Sequence, residues 1–340
     1  MSFIQLDGAH GGGQLLRTAL SLSLITGKAF TMSHIRGARP KPGLMRQHLT
    51  CVLAAKELGS AKVEGATIGS QELTFYPSAI RTGDFQFSIG TGGSTTLVLQ
   101  TLLPAMLHAP APSTVRIEGG THNPMAPPFE FVTQCFLPML KLMGAKANVT
   151  LERAGFMQTG GGSIFAEVQP VKKWKKLNLT ERGTFQENFG IVLNAHLNNS
   201  ITDREIRTAA RALSWDPTVI QLQQRTDSTG PGNIVMLGAR YENVTEISSS
   251  VAQVARSAES VAETAAKGLQ TYLTSTAPVG IHLADQLLIP LALAGCGKFA
   301  TFALSKHTQS NMALIPQFLE VRFDIADLGR GVKEISVVKV

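Results

Sequence analysis

The feature that most constrains this 340-residue chain is an order of elements that occurs three times. Each copy starts with small or polar residues and an apolar helical stretch. A short strand-like run follows, then a polar loop. The first copy reads "GGGQLLRTALSLSLITGKAFTMSHI" and then "RGARPKPG". The second reads "GGSTTLVLQTLLPAMLHAPAPSTVRI" and then "EGGTHNPMAPP". The third reads "HLADQLLIPLALAGCGKFATFAL" and then "SKHTQSN". A second helical stretch follows each loop: "LMRQHLTCVLAAKELG", "FEFVTQCFLPMLKLMG" and the shorter "NMALIPQFL". Strand-like runs close each copy: "AKVEGA" with "ELTFYP", "KANVTLE" with "SIFAEVQPV", and "EVRFDIA" with "EISVVKV". Self-similarity on this scale marks repeated supersecondary units. The pattern predicts an α/β protein built of α+β units. Each of the three units places two helices on one face of a four-stranded sheet. Residues 1–182 and 277–340 make up these three units. Loops at matching positions of pseudo-symmetric units would meet in a shared cleft.

Residues 183–276 interrupt the repeat and read as an inserted small α/β domain. "FGIVLNAHL" is a strand, and "ITDREIRTAARALSW" is a helix with Thr202 as its N-cap and Glu205 three residues on. "TVIQLQQRT" is a strand and "GPGN" a turn. "IVMLGARYE" and "VTEISSSVA" are strands, and "SAESVAETAAKGLQTYLTS" is a long amphipathic helix. The insert carries few groups suited to catalysis.

Composition excludes some classes. Apolar residues are 44% of the chain and charged residues 16%, which describes a packed protein and not a disordered one. The net charge of +7 suits a polyanionic partner or a phosphorylated ligand, although many basic proteins bind neither. The three cysteines, Cys51, Cys135 and Cys296, are widely spaced and form no CxxC pair. They read as small buried hydrophobes in a reducing compartment. "MSFIQLDGAHGGG" lacks the pattern of a signal peptide. The longest apolar run, "LLIPLALAGC", is about half a membrane span. These features predict a soluble cytoplasmic protein with no membrane partner.

Candidate chemistry sits in the matching loops. Residues 36–48, "RGARPKPGLMRQH", carry Arg36, Arg39, Lys41, Arg46 and His48 around two stiffening prolines. Clustered arginines can grip phosphate bidentately, and a solvated basic loop is the plainer alternative. "GTGGSTT" (90–96) and "GGGQLLR" (11–17) are glycine-rich helix starts, the second with Arg17 on its first turns. Such starts expose backbone N–H groups to an anion. Neither has the GK[ST] ending of a Walker A loop. "VGIHLADQLL" (279–288) puts His282, Asp285 and Gln286 at a helix start, where Asp285 could orient a hydroxyl or merely complement the helix dipole. His307 lies in the third loop, in the slot that the arginine loop fills in the first unit. Neutral imidazole is a competent nucleophile near pH 7, and the adjacent Lys306 could stabilise developing negative charge.

Taken together, these segments resemble the RNA 3'-terminal phosphate cyclases over nearly the whole chain. The resemblance rests on "LDGAHGGGQLLRTALSLSLITG", "IRGARPKPGLMRQH", "GGSTTLVLQTLLPA", "GGTHNPMAPP", "STAPVGIHLADQLLIPLALAG" and "KHTQSN". The last contains the family's H-x-x-[ST]-N signature. The resemblance implies three repeated units similar to the C-terminal domain of translation initiation factor three, with an inserted smaller domain. It also implies a ligase-type reaction in RNA processing. His307 would attack the α-phosphate of ATP and become AMP-linked. AMP would pass to an RNA 3'-phosphate, and the 2'-hydroxyl would displace it to leave a 2',3'-cyclic phosphate. By the same resemblance Gln100 and the run His282, Leu283, Ala284, Asp285, Gln286 belong to the ATP site, and Pro128 packs on the adenine. Arg17, Arg36, Arg39 and Arg46 line the phosphate site. A divalent metal, Mg²⁺ or Mn²⁺, accompanies ATP.

Two positions depart from the family pattern. Relatives read "GEGGGQ" where this chain reads "AHGGGQ", so the glutamate that helps hold the metal is missing. His10 and Asp7 are the nearest alternatives, and the metal ligand stays unassigned. His282 stands where a tyrosine is usual. The competing readings are a non-catalytic RNA-binding relative of the ribosome-assembly type and, more weakly, an enolpyruvyl transferase. The oligomeric state is open, with a homodimer among the options.

Overall fold

Strand β1 (Ile4–Asp7) leads into helix α1 (Gly13–Thr26), which stops where Gly27 turns left-handed at φ 70° and returns its amide to the Ser23 carbonyl. That reversal starts β2 (Phe30–Ser33). Helix α2 (Arg46–Leu58) and strands β3 (Lys62–Glu64) and β4 (Leu73–Tyr76) complete the first unit. The second unit comprises β5 (Gly83–Ser88), α3 (Thr95–His108), β6 (Ser113–Gly119), a broken helix, β7 (Lys146–Arg153) and β8 (Gly162–Gln169). The broken helix is α4 (Phe129–Phe131), a π-helical turn (Val132–Phe136) and α5 (Leu137–Leu142). The short β9 (Asn178–Leu179) follows. A further block then holds β10 (Phe185–Ala195), α6 (Asn199–Leu213), β11 (Ile220–Gln224), β12 (Gly232–Tyr241), β13 (Thr245–Val251) and α7 (Ala258–Thr274). Last come α8 (Ile281–Ala294), β14 (Cys296–Thr301), α9 (Lys306–Phe318), β15 (Val321–Gly329) and β16 (Val332–Lys339). This computed structural model describes residues 3–340.

Three sheets share one topology: β1-β2-β4-β3, β5-β6-β8-β7 and β9-β14-β16-β15. In each the first two strands run parallel and the remaining pairs antiparallel. Each unit is therefore built on strand–helix–strand–helix–strand–strand. The repeat in the sequence marks each copy only from its first helix. The strands ahead of that helix, β1, β5 and β9, are short and polar enough to escape it. Helix α8 ends as α1 does, at a left-handed glycine, Gly295 with φ 65°.

The fourth sheet, in the order β11-β10-β12-β13, uses both of its faces. Val192, Val235 and Leu237 pack with α6 and α7, whereas Leu193, Ile234 and Met236 join the main core. Strand alternation sends successive side chains to opposite faces, so "IVML" (234–237) is apolar throughout because both sides are covered. One continuous core runs through the three repeated units and this second face.

Three details differ from expectation. Thr202 is not the cap of α6. Asn198 is, its side chain accepting from the Ser200 amide, and the helix starts earlier than its apolar pattern suggests. Thr202 lies inside the helix and is buried. Cys51 and Cys135 are buried, but Cys296 is only half-buried, because it opens β14 at the end of its sheet. The tract "SKHTQ" is not a loop. Ser305 caps α9, accepting from the Thr308 amide, and His307 sits in the first turn. No helix among the described residues is long and apolar enough to cross a membrane.

Glu205 is buried in α6 and accepts two hydrogen bonds from Asn233 Nδ2, at 2.7 and 2.6 Å. Burial pushes its carboxyl up to about 7, with the Asn233 bonds opposing. A carboxyl raised in the fold stabilises it fully below the unfolded value and loses that contribution as pH rises through the folded one. The protein is therefore expected to lose stability between about pH 4.5 and about pH 7. Glu205→Gln should flatten that decline, read as urea midpoints at the two ends of the window. An unchanged pH slope in the variant would rule out Glu205 as its source.

Candidate active site

A cavity of about 580 Å³ opens where the repeated units meet the fourth sheet. Helices α1, α3, α8 and α9 supply about half of it, the segment 123–128 adds to it, and β13 and α7 close one wall. Its lining changes character along α3. Gln100 belongs to a polar end with Gln14, Arg17, Asp285, Gln286 and His307. Leu107, seven residues or about 10 Å further along the helix, belongs to an apolar end with Phe136, Leu140 and Trp174.

His307 keeps 52% of its side chain exposed and places Nδ1 3.4 Å from Asp285 Oδ2, which is 13% exposed. Asn311, one turn further on, fixes this pair. It accepts from Thr18 Oγ1 of α1 at 3.0 Å, and its Nδ2 donates to the Asp285 carbonyl at 3.4 Å. One buried amide thus ties α9 to both α1 and α8. A carboxylate facing Nδ1 favours the tautomer protonated there and leaves the Nε2 lone pair free. His282 completes the group. Desolvation lowers its pKa and His307 lowers it further, while Asp285 opposes them.

Basic residues converge beside this group. Burial pushes His48 down to about 3, and Arg17, Arg36 and Arg39 add to the shift. His48 is therefore neutral, its Nδ1 accepting from the Met45 amide at 3.3 Å. Glycine makes the approach possible. A Cβ on Gly13 would lie 2.1 Å from His48 Nε2, and one on Gly12 3.3 Å from Arg39 Nη2. The "GGG" cluster thus admits the basic loop against the first turn of α1. Burial lowers the Arg17 pKa, with Cys51 and Asp285 opposing. Arg36, left-handed at φ 55°, spends one guanidinium nitrogen on the Gly43 carbonyl at 2.7 Å and so clips its own loop. Arg46 stands apart, exposed on the first turn of α2 and absent from the charges that act on His48.

The segment before α4 is braced from below. His122 and Glu130, both buried, meet at 2.9 Å. Burial raises the Glu130 carboxyl, but the His122 charge and hydrogen bond outweigh it and leave the pKa lowered. Asn123 Nδ2 donates to the Gly92 carbonyl. These bonds hold Pro124 to Pro128 against the cavity.

Among the described residues eight buried side-chain atoms have no hydrogen-bond partner. Five of them belong to residues that line this cavity: Gln14, Gln100, Asn123, Glu246 and Gln286. Native interiors leave few such groups unpaired, so their concentration here marks a place for a polar ligand.

Comparison with known proteins bears on which ligand. A family model described as RNA 3'-terminal phosphate cyclase matches residues 9–325. The chain belongs to that family. It is 47% identical over 329 residues to an RNA 3'-terminal phosphate cyclase of Koribacter versatilis, covering 96% of this chain and 93% of the relative. It is 48% identical over 319 residues to one of Ectopseudomonas mendocina, covering 94% and 93%. Among solved structures, EPSP synthase of Acinetobacter baumannii aligns at 12% identity over 99% of this chain and 64% of that one, with a TM-score of 0.32. That likeness is too low to carry weight.

The cyclase resemblance named twelve residues, and the cavity gathers seven of them: Gln100, Pro128, His282, Asp285, Gln286, Arg17 and His307. Leu283 and Ala284 are fully buried in the core. The helical period turns His282, Asp285 and Gln286 to the cavity and Leu283 and Ala284 to the interior. Arg36 and Arg39 act on His48 and are not among the residues that line the cavity. Gln14, Asn123 and Glu246 were not expected. Gln14 and Asn123 lie inside the quoted motifs "GGGQ" and "THNP" and were legible there. Glu246, in the strand "TEISSSV" of the insert, gave no signal. Asp7 Oδ1 accepts from the Ala9 amide at 2.9 Å and faces His34 Nδ1 at 3.1 Å.

Proposed function

We propose that the cavity binds ATP and that the protein converts an RNA 3'-terminal phosphate to a 2',3'-cyclic phosphate. The single observation that carries this reading is the His307–Asp285 contact of 3.4 Å at the polar end of a cavity ringed by unpaired polar atoms. ATP is consumed and is therefore a substrate. Its base fits between Pro128 and His282, and its phosphates face Arg17 and the charge of Arg36 and Arg39.

His307 Nε2 attacks the α-phosphorus. The bond to the bridging oxygen breaks, and pyrophosphate leaves with its electron pair. Asp285 balances the charge that develops on the imidazole. An oxygen of the RNA 3'-phosphate then attacks the same phosphorus. The P–N bond breaks, His307 is regenerated, and an RNA-adenylate anhydride forms. The vicinal 2'-hydroxyl attacks the RNA phosphorus, losing its proton to solvent, and AMP departs. AMP is a better leaving group than oxide, and the tethered hydroxyl is held beside its target. A DNA end lacks that hydroxyl and cannot cyclise.

Mg²⁺ or Mn²⁺ accompanying the triphosphate is part of the same reading. Among the described residues no group of three or more His, Cys, Asp or Glu is placed to hold a metal ion, so no step is assigned to one. On this reading residues 183–276 are an inserted domain that closes a cavity wall, the repeated units share the initiation-factor-three likeness, and the setting is cytoplasmic. Arg46, exposed and free of the His48 cluster, is available to the RNA strand. The test is incubation with ATP labelled at the α-phosphate. The protein should acquire acid-labile label, and RNA bearing a 3'-phosphate should discharge it. No label with either metal would defeat the reading.

A further inference from the structure

Glu246 is the one acidic residue of the insert that reaches the cavity. It is 5% exposed, its Oε2 has no partner, and the Gly280 amide donates to its carboxyl. The approach is close enough to exclude a side chain at 280, where a Cβ would lie 2.2 Å from Glu246 Oε1. Gly280 is the N-cap of α8, two residues before His282. On its other side Glu246 neighbours Cys135, one turn beyond Phe131 in the helix that Pro128 caps. Pro128 and His282 are the two surfaces proposed to sandwich the base. Glu246 lies against the N-cap of the helix that carries His282, and its strand β13 packs on the π-helical turn that continues the helix Pro128 caps, which sets Glu246 beside the sandwich.

We propose that Glu246 is a base-recognition residue, its free Oε2 hydrogen-bonding a ring nitrogen of the purine in the donor nucleotide. This rests on the reading of the cavity as an ATP site. A structural ion pair does not account for Glu246. Arg182, the cation that acts on it, donates to the Ala277 and Tyr272 carbonyls at 2.9 and 2.6 Å and stacks 3.9 Å from the Tyr272 ring centroid. Burial pushes the Glu246 carboxyl up to about 8, so near neutral pH the acid is largely protonated. Since the Gly280 amide engages one oxygen, the hydroxyl is left at Oε2. A buried O–H lacking an acceptor is costly, and a purine ring nitrogen supplies one.

The test is calorimetric binding of ATP to the full-length protein. Glu246→Ala should weaken binding about tenfold. Glu246→Gln, which puts an amide donor in the place of the acid, should stay within about threefold. The decisive arm uses 1-deaza-, 3-deaza- and 7-deaza-ATP. One of them should bind the unmodified protein about tenfold more weakly than ATP, yet bind Glu246→Ala as well as ATP does. A purely structural glutamate would not produce that coupling. If all three analogues bind the unmodified protein as ATP does, or lose equally with both proteins, the proposal is wrong. The analogue series on the unmodified protein decides alone should the alanine variant not fold. Binding of ATP without labelling would sink the cyclase chemistry and leave Glu246 standing, whereas no binding at all would sink both.

Discussion

His307→Ala is expected to lower AMP transfer to the protein by about 10⁴-fold or more, to background in a labelling gel. The size follows from what is removed. His307 Nε2 is the atom proposed to form the covalent bond, and alanine offers no substitute. The fold should survive. The His307 side chain is 52% exposed, and the cap of α9 is Ser305, not His307. ATP affinity should change little, because the cavity's unpaired atoms lie on other residues. An alanine variant that labels as well as the unmodified protein would place the nucleophile elsewhere.

Asp285→Asn is expected to lower the rate of labelling by about 10²–10⁴-fold with little change in ATP affinity. The substitution keeps the shape and removes the charge. Asp285 faces His307 Nδ1, so its carboxylate selects the tautomer with a free Nε2 and stabilises the cation formed on attack. An asparagine can turn its amide nitrogen toward Nδ1 and favour the opposite tautomer. Asp285 also acts on Arg17 and His282, so the charge balance of the polar end changes with it. Labelling at an unchanged rate would leave Asp285 with a binding role only. Equal losses of affinity and rate would point to a collapsed site, which a thermal melt would expose.

Much of this is legible in the amino-acid sequence. The thrice-repeated order anticipated two helices per unit on a sheet, and three sheets share a single topology. Family motifs named His307, Asp285, Gln286 and Gln100, and the cavity holds all four. Other features were hidden for identifiable reasons. "SKHTQSN" is polar enough to read as a loop, yet Ser305 caps it and the buried Thr308 and Asn311 anchor it as a helix. Local composition cannot reveal that the anchoring partners lie on α1 and α8. His48 reads as a cation in a basic loop, but three arginines and burial hold it neutral. Arg36 reads as a phosphate ligand, but part of it holds the Gly43 carbonyl.

The sequence by itself determined the repeated units and the residue types that can carry out nucleotidyl chemistry, because helix periodicity, strand alternation and loop motifs are local patterns. Tertiary structure decided which of those residues face one another. His307 and Asp285 are 22 positions apart in sequence, and only the packing of α9 on α8, tied by Asn311 and Thr18, brings them to 3.4 Å. Glu246 joins them from a different sheet and carries no motif of its own. Its significance comes from burial, from an unpaired oxygen and from its close approach to Gly280, all of which exist only once the chain is folded.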